Sequence, residues 1–114
     1  MSDVKITLSG TGPIMVKVTG QLDETNVDAE SKPVYEKIDK ADKKVDFIFD
    51  LSGLTYMNSK SVGYMADWQG KIAAKGGKMV IAGAQESIFD ILNVVGLTSL
   101  IDTFKTVEEA KKGM

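Results

Sequence analysis

The stretch that most constrains the fold of this chain runs from Val45 to Gly63. Its first part, Val45 to Leu51, is too apolar for a strand with one solvated face and is typical of a strand in the middle of a sheet. A Ser-Gly-Leu turn follows, and Ser59 stands where a helix is predicted to begin. A buried strand that leads through a turn into a helix is a repeating unit of α/β folds.

The rest of the chain predicts further elements in a regular order. Alternating apolar residues indicate strands, a spacing of three to four residues indicates helices, and glycine or proline marks their ends. The predicted elements are a hairpin over 4–19, a helix with Pro33 in its first turn that reaches Ala41, the strand 45–51, the helix 59–75, a strand over 78–83, a short helix capped by Ser87 and ended by Gly96, a strand at Leu100–Ile101 and a last helix opened by a Thr106–Glu109 capping box.

Strands and helices alternate after the hairpin, which implies parallel strands joined by right-handed crossovers. The length of 114 residues suits one hydrophobic core. We therefore predict the α/β class in a single domain, residues 1–114. Its small mixed sheet is mostly parallel, begins with an N-terminal hairpin and carries four packed helices.

The composition excludes several classes of function. A net charge of −2 gives no general reason to bind nucleic acid or an anionic membrane. No apolar run approaches the ~20 residues that a membrane helix needs. The first residues contain no signal-peptide segment, so we expect a cytoplasmic protein.

The chain has no cysteine and no histidine, which removes disulfides, thiol nucleophiles, Ser-His-Asp triads and Cys/His zinc sites. Its acidic residues are spread rather than clustered, and the glycine-rich segments 10–12 and 76–78 lack the rest of any nucleotide-binding motif. Asp50 is expected to stabilise the turn after its strand. We therefore expect no enzyme, no catalytic residues, no metal site and no cofactor.

Five short motifs, in this order, resemble the STAS family, whose best-known members are bacterial anti-sigma-factor antagonists. They span roughly residues 4–111 and are Gly20–Asp23, Asn58–Gly63, Gly76–Lys78, Gly96–Leu97 and Thr106–Ala110. In the family the second motif usually reads Asp-Ser-Ser/Ala/Thr-Gly-Leu-Gly, and its first serine is phosphorylated. This chain differs there, with Asn58 in place of the acid, Lys60 in place of the small residue and Ser61 in place of the glycine.

The resemblance implies the STAS fold and a protein that binds an anti-sigma factor, itself a serine kinase, and is switched off when that kinase phosphorylates Ser59. Ser61 is the back-up phosphoacceptor. A serine at a helix start also serves as an ordinary cap, and this reading stays open. So do two other functions: a STAS interaction module without a phosphoswitch, such as a scaffold or a subunit of a lipid-transport or stress-signalling assembly, and a domain that senses a nucleotide or lipid. We expect a monomer or weak dimer.

The helix after Ser59 is predicted to have two faces. Its core stripe is Val62, Met65, Ala66, Gln69, Ile72 and Ala73, and its outward face is Lys60, Tyr64, Asp67, Trp68, Lys71 and Lys75. Trp68 either folds back onto a neighbouring helix or is a binding hot spot. The partner-binding residues predicted from this face and the serine turn are Asn58, Ser59, Lys60, Ser61, Tyr64, Trp68 and Lys71.

Overall fold

The computed structural model describes residues 5–9, 13–41 and 44–113 of the chain. Within them lies a five-stranded sheet in which the strands follow one another in chain order. The strands are β1 (Lys5–Ser9), β2 (Ile14–Leu22), β3 (Phe47–Met57), β4 (Met79–Ala82) and β5 (Asp102–Phe104). The first two are antiparallel and form the predicted hairpin, whereas β2 to β5 are parallel. The long apolar strand β3 is therefore central, as predicted.

Four helices cover the two faces of this sheet. They are α1 (Val27–Lys40), α2 (Ser59–Ala74), α3 (Glu86–Val94) and α4 (Val107–Lys112), with a short 3-10 turn at Leu97–Ser99. The first three share one core with alternate residues of β2, β3 and β4. The fourth packs on the opposite face, where Ala110 meets Ile48 and Val80. The mixed α/β architecture with four helices confirms the predicted fold class.

The predicted turn at 52–54 is wrong, because β3 continues through it to Met57. The extension is possible since β2 is also long, with 9 residues beside the 11 of β3, and pairs with β3 as far as Leu22 opposite Met57. Irregularities in this register accommodate close packing at Gly53, where an added Cβ would lie 2.6 Å from Thr19 Cγ2. Asp50 accepts a hydrogen bond from the Ser52 amide at 3.0 Å, so the expected side-chain contact forms within the strand.

The prediction that Pro33 lies in the first turn of its helix is also wrong. Helix α1 begins at Val27 and carries Pro33 in its interior. A tight turn starts the helix early, with the Val27 amide donating to the Asp23 carbonyl at 2.9 Å. Burial of Val27, Val34 and Ile38 then outweighs the missing hydrogen bond of the proline.

Two later boundaries also differ from the prediction. Helix α3 begins after Gln85, whereas Ser87 was predicted as its cap. The strand predicted at Leu100–Ile101 is wrong, because Leu100 is exposed and β5 occupies Asp102–Phe104. Gly96 ends α3 as predicted, with a positive φ of 86°. The last helix starts as predicted at Thr106, whose side chain accepts the Glu109 amide at 3.1 Å. The turn predicted at residues 9–13 lies mostly outside the described residues.

Candidate functional site

The candidate site forms where the central strand β3 passes into α2. Asn58 caps the helix, since its Oδ1 accepts the Ser61 amide at 3.1 Å. In return, Ser61 Oγ accepts the Asn58 amide at 2.8 Å, which completes a capping box. Ser61 is fully buried. Its hydroxyl is therefore part of the structure that begins the helix.

Ser59 differs from Ser61 in every respect that matters for modification. It is the first residue of α2 and is exposed. Its hydroxyl makes no hydrogen bond to any residue that the structure describes. Unpaired amides and the positive end of the helix dipole favour negative charge at this position. The site therefore places an accessible hydroxyl at the positive end of the helix dipole.

Both chain neighbours of Ser59 contact acidic residues, one in the turn before α1 and one in the first turn of α1. Lys60 Nζ lies 2.9 Å from Asp28 Oδ2, and the Asn58 side-chain amide donates to the Glu24 carboxylate. Asp28 also accepts a hydrogen bond from the Tyr64 hydroxyl. These bonds from Tyr64 and Lys60 lower the pKa of Asp28, while the bond to Asp28 raises the pKa of both Lys60 and Tyr64.

A groove of about 270 Å³ lies beside these contacts, between α1 and α2. The residues that line it are Tyr35, Lys60, Gly63, Tyr64 and Asp67. The Tyr35 hydroxyl donates to Asp67 Oδ2 at 2.5 Å, and Lys71 Nζ stands 5.7 Å from the centre of the Tyr35 ring. Partial burial, then the bond to Asp67, raises the pKa of Tyr35. The groove thus joins apolar ring surface to fixed charges one turn from Ser59.

The prediction that Trp68 projects outward is wrong. Its side chain is 0% exposed and stacks on Phe49 with 5.3 Å between ring centroids. The buried residues of α2 are Ser61, Val62, Met65, Trp68 and Ile72, so the core stripe is rotated toward Trp68, leaving Gln69 half-buried and Ala73 exposed. The reason is size, because an indole removes far more apolar surface from water than an alanine. Trp68 is therefore not available for direct contact with a partner.

Lys75 also departs from the predicted outward face. Its Nζ donates to the carbonyl oxygens of Ile38, Asp39 and Ala41, at 2.7, 2.7 and 2.9 Å. These groups end α1, where a cation complements the helix dipole. Lys75 thus fastens α1 to the end of α2 rather than facing a partner.

The acidic residues Glu24 and Asp28 were missed by sequence reasoning. They fall in a polar stretch that carries little periodic signal, and they reach the serine turn from 34 and 32 residues away. Within the described parts of the chain, no three or more acidic side chains come together in a way that could hold a metal ion. No described helix is long and apolar enough to cross a membrane.

The fold and the site together define a small α/β domain with an exposed serine after its central strand. The STAS domain family model matches residues 5–110, and the chain belongs to that family. This confirms the resemblance seen in the sequence motifs.

Solved structures share the fold at low sequence identity. An anti-sigma factor antagonist from Mycobacterium paratuberculosis superposes with a TM-score of 0.86 at 16% identity, covering 97% of this chain and 93% of that one. Unphosphorylated SpoIIAA, also an anti-sigma factor antagonist, gives 0.78 at 18% identity, with 98% of each chain covered. The murine anion transporter Slc26a9 gives 0.73 at 12% identity over 96% of this chain, which spans only 22% of that protein. The fold therefore occurs in antagonists and in transporters.

Proposed function

We propose that this protein is an anti-sigma-factor antagonist, acting in the bacterial cytoplasm, that binds a serine kinase of the anti-sigma type and is released when that kinase phosphorylates Ser59. The observation that carries the proposal is the exposed, unengaged Ser59 hydroxyl at the start of α2 in a STAS chain. The antagonists among the structural neighbours support the choice of partner. The protein is a substrate of the kinase rather than an enzyme.

The chemistry asked of this chain is simple. The kinase transfers the γ-phosphoryl group of ATP to Ser59 Oγ, so that an O–P bond forms, the bond to the bridging oxygen breaks, ADP leaves and the hydroxyl proton passes to a base of the kinase. The product carries about −1.5 to −2 charges and three acceptor oxygens. Ser61 cannot take this role while its hydroxyl is buried in the capping box.

The docking surface consists of the exposed serine turn and the adjoining groove. Its residues are Asn58, Ser59, Lys60, Gly63, Tyr64, Asp67 and Lys71. Tyr64 supplies an amphipathic ring of the kind found in binding hot spots. A phosphate set into such an interface loses water and adds nearly two negative charges beside the carboxylates of Glu24 and Asp28, which one lysine cannot balance, and this disfavours binding.

The modification is tested by peptide mapping after reaction with ATP and the anti-sigma kinases of the source genome. We expect the phosphate on Ser59 and none after Ser59→Ala. Full phosphate uptake by Ser59→Ala would show that the assignment is wrong.

The switch is tested by calorimetric titration of the kinase with unmodified and phosphorylated protein. Uncompensated charge in an interface costs several kcal/mol. At ~2 to 4 kcal/mol, affinity should fall roughly 30- to 700-fold. Equal affinities would reject the switch and favour a plain interaction module.

The location of the interface is tested by a matched pair of glycines on α2. A Cβ added at Gly63 or at Gly70 would meet no described atom within 4 Å, so both positions have room for a side chain. Gly63→Leu fills the groove, whereas Gly70→Leu adds the same side chain on the same helix outside it. Kinase binding should weaken at least tenfold for Gly63→Leu only. Equal effects of the two changes would place the interface elsewhere.

A plain STAS interaction module is the second candidate function, and one observation favours it. Two positions beside Ser59, Asn58 and Lys60, are committed to contacts with Glu24 and Asp28. A kinase would have to break these contacts, or bind without disturbing them, to reach the Ser59 hydroxyl. An unchanged intact mass after incubation with ATP and every anti-sigma kinase of the genome, combined with measurable binding, would support this function instead.

A further inference from the structure

We infer that Lys60 is the phosphate-pairing residue of this site and that it leaves Asp28 for the phosphate when Ser59 is modified, which loosens the first turn of α1. The inference rests on the proposed function, since it concerns the regulation of the same serine. It assigns to the modification an effect inside the protein as well as at the partner interface.

The charges around Ser59 make its modification different from that of an ordinary helix start. Glu24 and Asp28 supply two carboxylates from the neighbouring segment, and Lys60 is the ammonium that contacts one of them. A dianion added at Ser59 therefore joins a site that already carries an excess of negative charge. The helix dipole offsets only about half a charge.

Lys60 is the group best able to respond. Its ion pair with Asp28 is exposed, with side chains that are 46% and 61% accessible to solvent, and such pairs hold weakly. The flexible four-carbon stem can carry the ammonium to a new acceptor. A phosphate with nearly two charges attracts it more strongly than a single carboxylate at a similar distance.

The consequence falls on the start of α1. Without Lys60, Asp28 retains the Tyr64 hydroxyl and the weaker field of Lys32, and it now faces the phosphate across the gap. Glu24 is repelled in the same way, which strains its contact with Asn58. The first turn of α1 then loses the Asp28–Lys60 contact with the start of α2, and the segment just before it holds Asn58 less firmly through Glu24.

The pairing is tested on the full chain, without a partner, with phosphoserine installed at position 59 by genetic encoding. A ³¹P NMR titration gives the second ionisation of the phosphate, ordinarily near pH 6. We expect Lys60→Met to reduce the acid dissociation constant at least about threefold, because the stabilising ammonium is lost. The matched control is Lys71→Met, which removes a lysine about 16 Å further along α2 and should leave the constant unchanged. Identical constants in the wild type and Lys60→Met would overturn the inference.

The loosening is tested by hydrogen exchange on the same samples. The Glu30 amide, which bonds the Asn26 carbonyl at 2.9 Å, should exchange roughly 3- to 10-fold faster in the phosphorylated protein. Unmodified Asp28→Asn should show part of this increase. Unchanged exchange at α1 after phosphorylation would also overturn the inference. Neither experiment uses a kinase, so their failure leaves the labelling and titration tests of the proposed function standing.

Discussion

Replacing Ser61 by alanine should destabilise the protein markedly, whereas the same change at Ser59 should be nearly silent. Ser61 Oγ accepts the Asn58 amide at 2.8 Å in a fully buried position. Its removal leaves that amide, at the end of the central strand, without its side-chain acceptor. Loss of a capping side chain typically costs ~0.5 to 2 kcal/mol, and a buried unsatisfied donor ~1 to 3.

We therefore expect Ser61→Ala to lower the free energy of unfolding by about 1 to 2 kcal/mol, equivalent to roughly 4 to 8 °C in Tm for a domain of this size. Ser59→Ala removes an exposed hydroxyl and should stay within about 0.5 kcal/mol of the wild type. Urea unfolding monitored by tryptophan fluorescence measures both, because Trp68 is the only tryptophan in the chain and is buried on Phe49.

The outcome separates two roles for the neighbouring serines. If Ser61→Ala stays within 0.5 kcal/mol of the wild type, the capping box is not what holds the start of α2. If Ser59→Ala lowers the free energy of unfolding as much as Ser61→Ala does, the Ser59 hydroxyl has a structural role and is not free to accept a phosphate. The slope of the unfolding free energy against urea should be unchanged in both variants, which confirms that stability alone has moved.

Four further changes have expected results. Trp68→Ala should lower the free energy of unfolding in urea by ~3 to 5 kcal/mol, because it empties a core position. If the variant is instead as stable as the wild type and binds its partner more weakly, Trp68 is an exposed binding residue and the buried position is wrong. Lys75→Met should cost ~1 to 2 kcal/mol in thermal unfolding, as it deprives three carbonyls at the end of α1 of a charged donor, and an unchanged Tm would contradict this. Pro33→Ala should stabilise the protein by ~1 to 2 kcal/mol in urea unfolding, since it restores an interior helix hydrogen bond. A loss of stability would mean that the proline ring stabilises the folded state by more than the missing hydrogen bond costs. Folding raises the pKa of Tyr35 above 10.0, so the protonated hydroxyl stabilises the folded state below pH 10 and this stabilisation is lost as the pH rises toward the folded pKa. Between pH 9 and 11 the free energy of unfolding of the wild type should therefore fall more steeply than that of Tyr35→Phe. The same slope in both proteins would refute the role of the Tyr35 hydroxyl.

The start of α2 could be predicted from the sequence because its signals are local. An apolar strand followed by a polar segment and helical spacing is enough to predict a start at Ser59. The capping box of Asn58 and Ser61 was not predicted, because the usual box pairs Ser or Thr with Glu or Gln. The central position of β3 also follows from its own apolar residues. Its length does not, since the extension past Leu51 depends on pairing with β2, a strand distant in sequence that continues as far as Leu22.

The orientation of α2 was predictable only in part. Val62, Met65 and Ile72 fix the buried side within a broad arc, but Gln69 and Trp68 compete for its edge. Counting apolar positions favoured the face with Ala66 and Ala73, whereas weighting the positions by buried surface area favours the indole. The contacts of Glu24 and Asp28 with the serine turn had no such signal, because periodicity along one element does not reveal which other element faces it.

The burial of Trp68 changes how the site can act. A partner cannot reach the indole, but it can reach Tyr64, whose ring lies 6.4 Å from it and whose hydroxyl contacts Asp28. The core beneath the groove is therefore a rigid support made of Trp68 and Phe49, and the groups free to rearrange are the exposed charges above it. A phosphate on Ser59 enters that exposed layer, so its effect should be electrostatic and local, with the sheet and the capping box unchanged.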